Sequence, residues 1–239
     1  MRGSAPAKNG VISVVVPTYN EATTIPTLAA RLAAAMGARA WELVVVDDGS
    51  PDGTADVAER LAPAIPVRVV RRSGKLGLAT AVMAGFAAAS GDTLVVMDAD
   101  LSHPPEVVPR LVDAVADGSE LAVGSRYVAG GGTVDWPLRR RVVSRVACLM
   151  GNLLVPVRDA TSGFFALRRS VIDGVRLDPI GFKIGFEVIA RGRYRRVVEV
   201  PYTFRDREAG RSKFGRREIL DYALQLGKVA RDKVTGRLT

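Results

Sequence analysis

Two aspartates two positions apart, Asp98 and Asp100, follow directly on the apolar run at residues 94–97. In extended or turn geometry such residues aim both carboxylates at one point, as a hard divalent cation such as Mg2+ or Mn2+ requires. An ion held there neutralises the charge that develops on a diphosphate leaving group. Acidic residues after a strand also serve as ordinary caps for the next helix, and the residues alone leave both readings open. The position weighs toward a ligand, because an ionised carboxylate set against an apolar run is costly unless something binds it.

Two further apolar runs end in groups that can do chemistry. The first closes in Pro17-Thr18-Tyr19-Asn20-Glu21 and the second in Asp47-Asp48-Gly49-Ser50. Turn formation accounts for Gly49, Ser50 and Pro51, yet not for two consecutive aspartates. A carboxylate in this place can accept hydrogen bonds from a base edge or from ribose hydroxyls. Tyr19 reads as packing or as a stacking surface. His103 is the only histidine; a general acid or base is one reading, and a helix start at Ser102-His103-Pro104-Pro105 is the simpler one. Lys75-Leu76-Gly77 is a weak phosphate-loop signal. Cys148, the single cysteine, lies in an apolar run and reads as core packing, with no disulfide available to it.

These groups need a frame that brings strand ends together. Valine-rich runs at residues 11–17, 41–46, 67–70, 93–97 and 121–124 alternate with alanine- and leucine-rich stretches at 24–36, 54–61, 78–90 and 104–116. Strand-then-helix alternation with strands apolar on both faces predicts an α/β fold, a mostly parallel sheet flanked by helices. In such a sheet ligands bind beyond the carboxyl ends of the strands, where the three acidic groups fall. After Ser125 the rhythm breaks into a glycine-rich loop at 129–133 and a basic, apolar helix at 138–154. A strand at 164–167, a helix at 184–191, a strand at 197–200 and a basic helix at 216–233 follow, and residues 203–213 read as a polar, mobile loop.

The chain has 239 residues, of which 48% are hydrophobic and 25% charged, enough to bury a core. The organisation expected is a leader at 1–10, a catalytic domain at 11–215 and a basic helical extension at 216–239. The leader lacks the apolar segment of a signal peptide. No apolar stretch reaches the roughly 20 residues that span a bilayer. The net charge of +9 attracts polyanions. Arg139-Arg140-Arg141 reads either as a solvated helix start or, following Trp136 and preceding an apolar helix, as an element lying in a membrane interface. No aromatic-interleaved basic patch accompanies the charge, so nucleic acid is not the expected partner.

Val16-Pro17-Thr18-Tyr19-Asn20-Glu21, Val45-Val46-Asp47-Asp48-Gly49-Ser50, Gly77-Leu78-Ala79 after Lys75, and Asp98-Ala99-Asp100-Leu101-Ser102-His103-Pro104-Pro105 together resemble glycosyltransferase family 2, inverting enzymes of the GT-A (Rossmann-like) fold. Gly124-Ser125-Arg126-Tyr127, Asp159-Ala160-Thr161-Ser162-Gly163-Phe164 and the stretch from Arg207 through Arg211-Ser212-Lys213 look like dolichol- or polyprenol-phosphate mannose synthases. The resemblance implies transfer of mannose from GDP-mannose to a polyprenyl or dolichyl phosphate. It implies that Pro17, Tyr19, Glu21, Val46 and Asp48 hold the nucleoside, with Asp98, Ala99 and Asp100 around the diphosphate and a Mg2+ or Mn2+ ion. Lys183, Arg207 and Lys213 would meet donor phosphates, and Arg126 would join Asp98 and Asp100 as a catalytic group. Arg126, Arg139 and Arg140 would bind the acceptor phosphate. Ser102 stands where this subgroup commonly carries a glutamine ligand, and its shorter hydroxyl reaches an ion weakly or through water. A UDP-glucose donor and a nonenzymatic nucleotide-binding module are the rival readings. Peripheral contact with the cytoplasmic face of a membrane is the location expected.

Overall fold

The computed structural model describes residues 10–206 and 216–236. A seven-stranded sheet forms the centre, built from β1 (Ile12–Thr18), β2 (Trp41–Asp47), β3 (Val67–Arg71), β4 (Thr93–Val96), β5 (Leu121–Ser125), β7 (Phe165–Arg168) and β8 (Val197–Pro201). Its spatial order is β3-β2-β1-β4-β7-β5-β8. Strands β1 to β4 run parallel, with Val14 opposite Leu43 on one side and Val95 on the other. The strand expected at 164–167 enters antiparallel between β4 and β5, so the sheet is mixed. The α/β expectation of a mostly parallel sheet covered by helices is borne out.

Strand periodicity of two divides the core into two layers. Val14, Val16, Leu43, Val45 and Ala166 pack under α1 (Ile25–Met36) and α4 (Val108–Ala116). Val15, Val44, Val46, Phe165 and Leu167 face α3 (Leu78–Ala88), α6 (Ile184–Arg191) and α7 (Arg216–Val234). Each such valine or leucine, sealed from water, contributes roughly 1.5–3 kcal/mol. Helix α3 lies close on β1 because Gly85 carries no Cβ, which would come within 2.3 Å of Val15 Cγ1. The short α2 (Thr54–Glu59) completes the first half.

The basic C-terminal helix shares this core: Tyr222, Leu226 and Val229 of α7 are buried in the layer that holds Phe186 and Ile189. Residues 203–213 were expected to be loop throughout, but Thr203–Phe204 forms β9, paired in parallel with β6 (Gly132–Thr133). The backbone of both segments lies close enough to exchange hydrogen bonds, Gly132 N to Tyr202 O at 3.1 Å and Val134 N to Phe204 O at 2.9 Å. Helix α5 (Leu138–Asn152) has the opposite character to α7. Leu138, Val142, Val146, Leu149, Met150 and Leu153 recur at helical spacing along one side and are all exposed, Leu153 by 83%. No helix among the described residues is long and apolar enough to cross a membrane.

Candidate active site

The loops after β1 and β2 are tied together by aspartates and hydroxyls. Asp47 accepts hydrogen bonds from Thr18 Oγ1 at 3.0 Å, from Ser50 N at 2.9 Å and from Ser50 Oγ at 2.5 Å. Ser50 Oγ in turn receives the amide of Asn20 at 2.9 Å, and Thr54 Oγ1 receives that of Glu21. Asn20 is held at a φ of 62° by this bracing. Asp48 is buried and engaged from two sides, by Arg72 Nη1 at 2.5 Å and by Gly77 N at 2.9 Å. The second aspartate therefore anchors residues 72–77 to the rim. That loop carries Lys75, whose Nζ lies 4.1 Å from the centroid of the Tyr19 ring. Pro17 and Val46 sit beneath, Val46 fully buried.

At the end of β4 the chain turns sharply. Leu101 adopts a left-handed φ of 62° between Asp100 and Ser102, a conformation that costs a non-glycine residue roughly 1–2 kcal/mol. The turn is closed by Ser102 N donating to Asp100 Oδ1 at 3.0 Å and by Asp98 N donating to His103 Nδ1 at 3.0 Å. An Nδ1 that accepts a hydrogen bond carries no proton, so His103 is neutral, and burial holds its pKa below the usual range. Its ring stacks on Phe164 at 4.9 Å and meets Tyr202 and Phe204 edge-on. The histidine thus fastens the acidic turn, as the simpler reading held.

The helical turn that follows begins after Pro104 with no side-chain cap bond. Asp98 and Asp100 are not its caps, although Asp100 braces the turn that leads to it. The described residues contain no group of three histidine, cysteine or acidic side chains suited to a metal. Two carboxylates are nonetheless the donor set with which Mg2+ or Mn2+ is held when substrate phosphates complete its shell. The buried Ser102 Oγ has no hydrogen-bond partner among the described residues. An orphaned hydroxyl beside two carboxylates fits a site that a cation or its water completes.

Across the rim the charges are positive and held at long range. Arg126, at the end of β5, forms a fork on Asp159, Nε to Oδ2 at 2.7 Å and Nη2 to Oδ1 at 2.6 Å, and Nη2 also reaches Thr161 Oγ1 at 2.8 Å. Both side chains are almost sealed from solvent, 8% and 0% exposed. Burial works against the Asp159 carboxylate, but the adjacent guanidinium wins and holds its pKa below the usual range. Glu199 of β8 supports the pair by accepting from the amides of Arg158 and Asp159. Cys148 packs beside them, its thiol pushed up to about 11 by burial and by Asp159. Lys183, which opens α6, reaches Thr161 O at 3.4 Å. Its pKa is lowered to about 8, first by burial and then by Arg126. Arg140 stacks on Trp136 at 4.1 Å and pairs with Asp206 at 2.6 Å. The two sides sense one another: Asp98, Asp100, Arg126 and Asp159 all act on the His103 ring.

A family model, Glycosyl transferase family 2, matches residues 13–176. That span holds all three strand-end groups, Arg126 and Asp159. The chain belongs to glycosyl transferase family 2. A dolichol-phosphate mannosyltransferase of Pyrococcus furiosus is 48% identical over 215 residues, 88% of this chain and 61% of that protein. A dolichol-phosphate mannosyltransferase of Saccharomyces cerevisiae is 40% identical, covering 90% of this chain and 85% of its own length. A polyprenol monophosphomannose synthase of Mycolicibacterium smegmatis is 41% identical, covering 94% and 88%. Among solved structures, glucosyl-3-phosphoglycerate synthase from Mycobacterium tuberculosis, in complex with Mn2+, UDP and glucosyl-3-phosphoglycerate, superposes with a TM-score of 0.65 at 24% identity, over 92% of this chain and 78% of that one. A mannosyltransferase from Pyrobaculum calidifontis, in complex with GDP-Man and Mn2+, gives 0.60 at 22% identity, over 86% and 59%. The structural likenesses establish a shared fold.

In this glycosyltransferase the residues singled out from sequence fall in two groups. Pro17, Tyr19, Glu21, Asp48, Asp98, Asp100 and Ser102 lie at the rim made by the ends of β1, β2 and β4, whereas Val46 and Ala99 are buried in the core beneath it. Arg126 and Lys183 share the buried polar cluster opposite, and Arg140 joins it through Trp136. Arg139 is exposed on α5. Arg207 and Lys213 lie outside the described residues. Sequence reasoning assigned no site role to Asp159, Tyr202 or Leu101, and used Trp136 only in the membrane-interface reading of Arg139-Arg140-Arg141. Asp159 had a signal, being an acidic residue inside a motif already recognised; the left-handed Leu101 had none.

Proposed function

We propose that this chain transfers mannose from GDP-mannose to a polyprenyl phosphate, with inversion at the anomeric carbon, giving polyprenyl-phosphate mannose and GDP. The observation that carries the reading is the opposition, across one rim, of the acidic turn Asp98 to Asp100 and the cation cluster of Arg126, Lys183 and Arg140 beside the exposed apolar face of α5. The mannosyltransferases similar to this chain at 40–48% identity support it.

The donor nucleoside would lie along Tyr19, Glu21 and the Asp48 loop. Asp98 and Asp100 would hold a Mg2+ or Mn2+ ion between them, with the Ser102 hydroxyl to the side. When bound, such an ion neutralises charge on the departing diphosphate. A lipid monophosphate has a second pKa of about 6 and is already ionised at neutral pH, so the reaction needs cations to seat the nucleophile and no strong base. The neutral, buried His103 suits that requirement. Arg126, Arg139 and Arg140 would draw in the acceptor phosphate, while Lys183, with Arg207 and Lys213, would meet the donor phosphates. The apolar stripe of α5, edged by Arg139, Arg141 and Arg145, would rest in the interface of an anionic membrane, with α7 contributing Ile219, Leu220 and Leu224. That placement delivers the lipid phosphate to the rim from the membrane side.

The test is incubation with labelled GDP-mannose or UDP-glucose, polyprenyl phosphate and Mn2+, followed by lipid extraction. Label entering the organic phase from GDP-mannose alone is the result expected; label entering only from UDP-glucose overturns the mannose assignment.

A further inference from the structure

Trp136 is 6% exposed, and its indole Nε1–H has no hydrogen-bond acceptor among the described residues. A buried donor without a partner is rare in a folded chain and calls for an explanation, of which a group that binds there is one. Two guanidiniums touch the same ring, that of Arg140 at 4.1 Å from its centroid and that of Arg126 at 5.4 Å. The unsatisfied N–H therefore belongs to a ring that two cations share.

The chain is shaped to hold the ring there. Asp135, immediately before it, takes a left-handed φ of 60°, and Pro137, immediately after it, opens α5. The pairing of β6 with β9 brings Phe204 edge-on at 5.2 Å. Strain of this kind persists where the surroundings over-determine it, and it gathers at ligand sites. The neighbouring ion pair is suited to exchange. Arg140 and Asp206 are 26% and 38% exposed, so a phosphate can replace that carboxylate like for like.

We propose that Trp136 is a further acceptor-phosphate residue, its indole N–H donating a hydrogen bond to an oxygen of an isoprenyl monophosphate seated on Arg126 and Arg140. The inference rests on the reading of those arginines as the acceptor-phosphate site. Two guanidiniums supply charge and fork geometry, while a neutral N–H on a rigid ring adds a fixed direction.

The test uses the full chain. Trp41 and Trp136 are the two tryptophans, so in a Trp41→Phe background the emission reports on Trp136 alone. Titration with a short-chain isoprenyl monophosphate shifts that emission, and an unshifted spectrum at saturating ligand overturns the proposal. In the transfer assay Trp136→Phe keeps a stacking ring and loses the N–H; the acceptor KM rises about tenfold, with the donor KM within about twofold. Trp136→Leu, which removes the ring under Arg140 as well, raises the acceptor KM further. If Trp136→Phe leaves the acceptor KM unchanged while Arg140→Ala raises it, the N–H role is wrong and the acceptor site stands. If Arg140→Ala leaves it unchanged too, the acceptor site itself is misplaced.

Discussion

On the donor side, backbone amides do the holding: Asn20, Glu21, Ser50, Gly77 and Ser102 all donate main-chain N–H groups to side chains of the same rim. On the acceptor side the longest ties run between charged side chains, Arg126 to Asp159 across 33 positions and Arg140 to Asp206 across 66, with the amides of Arg126, Arg158 and Asp159 in support. Apart from the buried Asp48–Arg72 ion pair, the first arrangement is a set of short braces, each worth little alone, over a sheet that is already rigid. The second concentrates its stability in Arg126 and Asp159, both withdrawn from water, where losing one partner strands the other. The comparison teaches where each half is vulnerable: the acidic rim through its chemistry, the cationic cluster through its packing.

The sharpest way to break the comparison is Asp159→Asn, which leaves the buried Arg126 without a carboxylate partner. It should lower stability by about 3–5 kcal/mol in urea unfolding, whereas Ser50→Ala across the rim should lower it by only about 1 kcal/mol. Equal effects would show that the two halves are braced alike. Asp100→Ala should do the reverse, cutting turnover roughly 10^2–10^3-fold with a melting temperature near that of the parent, and a calorimetric Mn2+ titration should show weakened binding.

A smaller effect separates charge from stability at Lys183. Its folded pKa of about 8 lies below the ~10.4 of an unfolded lysine. Between those values the unfolded chain holds a proton that the folded chain has shed, so stability rises with pH through that window. Donor affinity should fall over the same window, about tenfold per pH unit at most. Lys183→Met should abolish both trends, and a pH-independent donor KM in the parent would remove Lys183 from the site. Smallest in stability, Leu149→Gln with Leu153→Gln on the exposed face of α5 should change unfolding by no more than about 0.5 kcal/mol. The same pair should sharply weaken flotation with anionic vesicles, and undiminished flotation would count against membrane seating by α5.

Much of the donor rim was legible because its signals are local. A valine run followed by Asp98, a serine three places after Asp47, and Pro104-Pro105 before a helix each announce themselves within a few residues. Even there the sequence left the job of each acid open. The fold assigned Asp47 to the turn, Asp48 to the 72–77 loop and His103 to fastening the acidic turn, because those outcomes depend on which neighbours arrive from other strands. The antiparallel entry of β7 between β4 and β5 was not legible, since a four-residue apolar strand carries no mark of its direction.

By itself the sequence determined the alternation of strands and helices, the α/β class, the family resemblance and the convergence of three acidic strand ends, all set by spacing within short windows. Only the tertiary structure decided that Arg126 is sealed against Asp159, that Lys183 sits where its proton is held weakly, and that Trp136 keeps an N–H unanswered among the described residues, between partners far along the chain. Burial and electrostatics are properties of groups brought together by the whole fold, and no single segment encodes the dielectric in which its charges will lie.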